Sequence, residues 1–332
     1  AVFLKKTNMR KAFFFFILLL LLAATSLPAQ RTPRMKGERS EVELENLEAV
    51  NTAGHEFSPA FYLNGIVFCG DARKEESGGA DSYFELFYAD ATSEGELARP
   101  RPFSATVNSH LNEGPAAFSR DGRRMFFTRN NSRGGVQKAD AENKSRLKVY
   151  EAVKGPYDWE NIRELPFNAD EFTCMHPSIS DDGNTLYFAS DRPGGYGGMD
   201  LYRVRREGDR WSEPENLGAR INSEADEAFP FLYQNELLFF ASDRSGGYGG
   251  LDLYVAELYR STSALQLDKP FNSRGDDFGL ILQPTGRRGY FTSSREDGRG
   301  LDDLYLFETP PEYWGELVKG EQSIELIVID EH

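Results

Sequence analysis

Four acidic side chains recur at one place in the chain. Glu56, Glu113, Glu227 and Asp277 each stand five residues after an asparagine that itself follows an apolar residue. A fifth such asparagine, Asn168, is followed at that spacing by Thr173, with Glu171 close by. Carboxylates gathered around an axis create a negative potential that attracts a cation or a Lys/Arg-bearing peptide. A pair of carboxylates is also what glycoside hydrolysis requires, provided their environments hold one protonated and the other ionised. Repeat-equivalent carboxylates give no sign of that asymmetry. An acid at the start of a strand can instead accept backbone N–H bonds where the chain turns. The four are therefore a candidate binding ring at a channel mouth, with the architectural use preferred.

A second recurring set is cationic and acidic together. Arg192 and Asp200, Arg244 and Asp252, and Arg295 and Asp303 are each eight residues apart across a glycine-rich loop. A loop folding back as a hairpin would let each pair meet as a charge-assisted bond, with glycines supplying positive φ where the chain reverses. These loops lack the Lys-Ser/Thr of a phosphate-binding loop, and no helix follows them. Other chemistry is sparse. His55, His110, His176 and His332 show no metal-ligand spacing. No GxSxG occurs, and Ser145-Arg-Leu-Lys148 is a chance match to SxxK inside an insertion. No calcium loop of the D-x-[DN]-x-[DN]-G type is present. Cys69 and Cys174 fit two buried thiols better than one disulfide. The reading predicts no catalytic residue, metal or cofactor.

The elements that must carry these residues repeat. The apolar-Asn pairs are Val50-Asn51, Val107-Asn108, Phe167-Asn168, Ile221-Asn222 and Phe271-Asn272, at intervals of 57, 60, 54 and 50 residues. After each come a short apolar segment with a turn, a β-rich run such as TLYFASDR or LLFFASDR, and a third run such as DLYRV, DLYVA or DLYLF. A fourth segment, holding Trp159 or Trp211, returns to the next asparagine. Asp121-Gly122, Asp182-Gly183 and Asn64-Gly65 supply hairpin turns between the first and second runs. Four short strands per unit of about 50 residues is the arithmetic of a β-propeller blade. The fold class predicted is all-β, a five-bladed propeller of four-stranded antiparallel blades. The segment from Val42 has no blade ahead of it and is expected to close the ring by joining the last blade. A sixth blade would need four strands from residues 310–332, which are too few.

Outside residues 42–309 the chain reads differently. Residues 9–30 have the build of a secretory signal peptide, with Arg10 and Lys11, an apolar run from Ala12 to Ala24, and a small-residue region at Ala29. The run is 13 residues, short of the roughly 20 that span a bilayer, although a retained anchor is the alternative. Met9 reads as the start, residues 1–8 as an upstream remnant, and 31–41 as a polar linker. Residues 310–332 are expected to be a linker and the first strand, Ser323 to Asp330, of a further β domain. The 38 Lys+Arg against 53 Asp+Glu give a net charge of −15, which disfavours nucleic acid and anionic lipid as partners.

The motifs SDRPGGYGGMDLY from Ser190 and SDRSGGYGGLDLY from Ser242, with WSEPENLG from Trp211 and NSEADEAFP from Asn222, resemble the WD-repeat-like PD40/TolB-type propeller repeats of Bacteroidota envelope proteins. The second repeat departs, with a loop 11 residues longer and no Gly-Gly-x-Asp. The resemblance implies a non-enzymatic periplasmic scaffold associated with the outer membrane and binding other envelope proteins. Some members of that group have an OmpA-type domain or serve type IX secretion and gliding. Contact with peptidoglycan would need domains that this sequence does not contain. A glycoside hydrolase or a glycan- or peptide-binding propeller is the alternative. The loop at Arg73–Ser82 and the second-repeat insertion, Arg129–Leu147, are the irregular features expected to make specific contacts.

Overall fold

The runs rich in Phe, Tyr and Val form strands in a computed structural model that describes residues 42–72, 83–92, 96–133, 135–315 and 317. The expected signal segment, the loop at 73–82 and the strand at 323–330 lie outside the described residues. No helix among those described is long and apolar enough to cross a membrane.

Five antiparallel sheets follow one another along the chain, each built mainly from four strands. Blade 1 comprises Glu56–Tyr62, Gly65–Asp71, Phe84–Asp90 and Arg101–Pro102. Blade 2 comprises Glu113–Phe118, Arg124–Asn130, Leu147–Lys154 and Trp159–Glu164. Blade 3 has Cys174–Ile179, Thr185–Ser190 and Asp200–Glu207, with its outer strand split into Arg210–Trp211 and Glu215–Asn216. Blade 4 has Glu227–Tyr233, Leu237–Ser242, Asp252–Glu257 and Leu265–Gln266. Blade 5 has Asp277–Leu282, Arg288–Ser293 and Asp303–Glu308 from one end of the propeller and Glu43–Asn46 from the other. That last strand pairs antiparallel with Asp303–Glu308, Leu44 opposite Phe307, and closes the ring as the repeat count predicts.

Second strands are buried on both faces because each blade is covered by its neighbours. Ile66, Val67, Phe68 and Cys69 in blade 1, and Leu238, Phe239, Phe240 and Ala241 in blade 4, are all buried. The hydrophobic clusters accordingly lie between blades. One joins Phe126 and Val149 of blade 2 to Leu186, Phe188 and Val204 of blade 3.

The recurring asparagine has a physical role that its spacing alone did not reveal. In every blade its side-chain amide pairs with both backbone groups of one residue in the third strand, as a neighbouring strand would. Asn222 accepts from Leu201 N–H (2.8 Å) and donates to Leu201 C=O (3.0 Å). Asn272 does the same with Leu253, Asn168 with Val149, Asn108 with Leu86, and Asn51 with Leu304 across the ring closure. One residue type recurs because only a primary amide offers a donor and an acceptor in that arrangement.

Each inner strand carries a bulge, shown by a register shift in its pairing. The bulged residues are Ser58, Gly114, His176, Phe229 and Gly279, all with φ between 52° and 104°. Proline follows in four blades and Leu280 in the fifth. A strand beside the axis has no inner neighbour, so the donor that proline lacks is not missed there.

The residues after Thr309, read as a linker, include a short helical turn that packs on the propeller. Trp314 is buried against Phe239, Phe271 and Phe307, and its Nε1–H donates to Gly286 C=O (2.9 Å).

Candidate functional site: the buried acids and the axial cavity

All four candidate acids sit at the first residue of an inner strand, and all are buried, with Glu113, Glu227 and Asp277 at 0% exposure. Glu227 accepts from Ser223 N–H (2.8 Å), from the Ser223 and Ser242 hydroxyls (2.5 and 2.8 Å), and from Arg244 Nη2 (2.9 Å). Asp277 accepts from Ser273 N–H, the Ser293 hydroxyl and Arg295 Nη2 (3.0 Å). Glu113 accepts from Ser109 N–H, the Ser109 hydroxyl and Arg129 Nε (2.9 Å). Glu56 takes both the N–H and the hydroxyl of Thr52, each at 2.7 Å. Burial pushes the carboxyls of Glu56, Glu113 and Asp277 above their ordinary values, outweighing the hydrogen bonds that favour their charged forms.

Blade 3 departs in a way that counting from the asparagine misplaced. One extra residue follows Asn168, so the equivalent of Glu227 is Cys174, not Thr173 or Glu171. Cys174 stands opposite Ser190 as Glu227 stands opposite Ser242. Arg192 Nη2 then meets the Cys174 sulfur at 3.3 Å. Thr173 N–H donates to Asp191, and Glu171 is exposed.

The arginine and aspartate of one glycine-rich loop do not bond each other, contrary to the eight-residue pairing expected. Each arginine reaches back to the start of its own blade's inner strand: Arg244 to Glu227 and Arg295 to Asp277. It also lies over the third-strand tyrosine, as Arg244 does over Tyr254 (4.6 Å) and Arg295 over Tyr305 (4.7 Å). Each aspartate folds into its own loop. Asp200 accepts from Tyr196 N–H (2.6 Å), Gly197 N–H (3.1 Å) and Asn216 Nδ2 (2.7 Å). Asp303 accepts from the N–H groups of Arg299 and Gly300 and from Asn46 Nδ2. A Cβ on Gly195 or Gly247 would collide with the carboxylate of Asp200 or Asp252, which explains the glycine there. Asp252 differs from its counterparts. It accepts from Tyr248 N–H and Gln266 Nε2 and faces Gly249 N–H, but the Gln266 Oε1 beside it has no partner. Burial, with the Asp277 charge added, pushes its carboxyl up to about 6.

Blade 2 inverts this pattern. Arg129 takes the second-strand station of Ser242, and Lys148 stands opposite it, where Asp252 stands in blade 4. Lys148 is buried between Glu164 (2.7 Å) and Asp170 (2.6 Å), so the SxxK match holds a lysine that is fully engaged. The insertion itself folds as a two-stranded ladder, Ser132–Arg133 with Val136–Gln137, and His110 Nε2 lies 2.7 Å from Gly135 C=O. His55 Nδ1 pairs with Asp302 (2.6 Å) where blades 1 and 5 meet, and His332 lies outside the described residues. Cys69 and Cys174 are free and buried. No group of three His, Cys, Asp or Glu among the described residues is placed to hold a metal.

A cavity of about 560 Å³ opens along the axis, lined by the five inner strands from the bulge onward and by the turns after them. Between it and the acidic ends of those strands, four rings meet. His176 stacks on Phe229 (3.7 Å between centroids), Phe229 contacts Phe278 (4.6 Å), and Phe278 contacts Phe57 (6.3 Å). The four candidate acids are therefore not part of the cavity wall. Its carboxylates are Asp121 and Asp181, both on turns at the rim. Asp121 is held below its usual range by the Ser119 hydroxyl (2.6 Å) and Arg123 N–H (3.0 Å). Sequence reasoning expected an axial channel but put acids at its mouth, and missed the prolines of the inner segments that lie in the cavity wall.

The strand order and its closure define a five-bladed β-propeller. No family model matches the chain, and no curated protein does. Solved structures similar to it include a putative TolB from Agrobacterium tumefaciens, at 13% identity and TM-score 0.47, covering 81% of this chain and 98% of that one. An endo-arabinase from Bacteroides thetaiotaomicron is similar at 12% identity and TM-score 0.46, covering 76% and 94%. A glycosyl hydrolase from Bacteroides ovatus matches at 12% identity and TM-score 0.45, covering 76% and 84%. At such identities the likeness is one of fold.

Proposed function

We propose that this protein is an exported, non-enzymatic β-propeller that binds other proteins in a periplasmic, outer-envelope assembly. The observation that carries the reading is the fate of the repeated acids. Each is buried and engaged by hydroxyls, backbone N–H groups or arginine inside its own blade, which is an architectural use. Glycoside hydrolysis would need two carboxylates about 5–9.5 Å apart at the substrate, one of them held protonated. The two carboxylates on the cavity wall, Asp121 and Asp181, both lie exposed on turns, outside the buried apolar surroundings that set a catalytic acid apart. The leader-like segment at residues 9–30 supports export, and the resemblance of the glycine-rich motifs supports an envelope role, including one in secretion or gliding.

The test is affinity capture from the native envelope with this chain as bait, run beside hydrolysis assays on arabinan and other glycans. Specific capture of an envelope protein with no glycan turnover is expected. Turnover that disappears in Asp121→Asn or Asp181→Asn would replace the scaffold with an enzyme.

A further inference from the structure

The floor of the axial cavity carries hydrogen-bonding groups that the fold does not use. His176 is 9% exposed and lies flat on Phe229. Phe229 N–H donates to its Nδ1 (3.3 Å), so Nδ1 is the acceptor nitrogen. Burial pushes the imidazole down to about 3, which keeps it neutral and leaves the hydrogen on Nε2. Nε2 has no partner among the described residues, and the ring forms part of the cavity wall. Ser58, 5% exposed, holds the same bulge station in blade 1 and borders the same cavity, but its Oγ is packed against Gly279 and closed off from the open space. Glycine at Gly279 leaves that side of the floor without a side chain. The walls above are mostly apolar, with Pro59, Pro115, Pro177 and Pro230 on four sides.

We propose that the axial cavity binds a small neutral molecule with an apolar body and one hydrogen-bond acceptor, which His176 Nε2–H engages from the floor. Its volume lies within the roughly 300–1,000 Å³ of small-molecule sites, and apolar walls with a few directed polar groups are their usual make-up. The ligand is neutral because the floor offers no ion to offset a buried charge. A ring ketone, an ether or a lactone has the required chemistry. The inference stands apart from the scaffold role, because neither the site nor its test involves the captured partner.

The probes are indanone and indane, which share a ring body and differ by one carbonyl. Affinities are measured by titration on the whole chain, together with the Nε2 resonance of His176. Indanone is expected to bind and to move that resonance. Its affinity relative to indane should fall about fivefold in His176→Phe, the loss of one net hydrogen bond. Phenylalanine already occupies the same bulge station at Phe229, so that variant should fold. Ser58→Ala, which removes a hydroxyl closed off from the cavity, should leave that ratio unchanged. An unchanged ratio in His176→Phe, or indanone binding that leaves the His176 resonance in place, would overturn the assignment. So would binding of an apolar peptide with neither ring compound bound, which would give the cavity to a protein segment instead.

Discussion

Replacing Asn272 by alanine tests the amide pairing that recurs in every blade. Asn272 is 1% exposed and Leu253 is 0% exposed. The change removes the acceptor of Leu253 N–H (2.7 Å) and the donor to Leu267 C=O (2.7 Å). Leu253 C=O keeps a second partner in Leu267 N–H (2.9 Å), so the groups left unpaired are the Leu253 N–H and the Leu267 C=O. Leaving such a group unsatisfied costs about 1–3 kcal/mol, and the lost side-chain contacts add to this, so we expect about 2–3 kcal/mol. Asn272→Asp should cost more at pH 7. It keeps an acceptor for the N–H but sets a carboxylate oxygen against two carbonyls that accepted from the amide. Asn108→Ala should cost about 1 kcal/mol or less, because Asn108 is only half-buried and water can take over its bonds. Urea unfolding of the three variants beside the parent, at matched m-values, provides the comparison. A loss below about 0.5 kcal/mol for Asn272→Ala, or a larger loss for Asn108→Ala, would refute the pairing as a source of stability.

Two further perturbations follow from the same structure. Asp252 holds its proton to about pH 6 in the fold and only to about 3.8 when unfolded, so the folded state binds more protons between those values. Stability from this group therefore falls as pH rises from about 4 to 6, by up to about 3 kcal/mol. Asp252→Asn should remove that fall when unfolding is measured across the interval; an identical pH slope in both proteins would contradict it. Trp314→Ala empties a buried site against Phe239, Phe271 and Phe307 and frees Gly286 C=O, and should lower stability by about 3 kcal/mol or more in urea.

The number of blades and the closing strand were legible because both depend on local pattern. Short aromatic runs, turn dipeptides and a recurring Asn need no long-range information, and the unpaired segment at Val42 had one place to go. The partners of the charged groups were not legible. Arg244 and Glu227 are 17 residues apart and meet only because the first and second strands of a blade run antiparallel. Arg244 and Asp252, nearer in sequence, diverge because the loop's own N–H groups hold the aspartate. A single extra residue after Asn168 was enough to hide Cys174 at an acidic station. The lining of the cavity was hidden for a different reason, since its wall draws six to eight residues from each of five segments spread over more than 200 residues.

The repeated acids hold the blades together, and on the proposed reading binding takes place elsewhere. The measurement that tests it most directly is envelope capture by the double variant Glu113→Gln, Glu227→Gln. Both glutamates lose their charge-assisted bonds to Arg129 and Arg244, so unfolding should move to lower urea while the captured proteins stay the same. A double variant that keeps the parent's fold and stability yet captures nothing would make the acids the binding site and contradict the account.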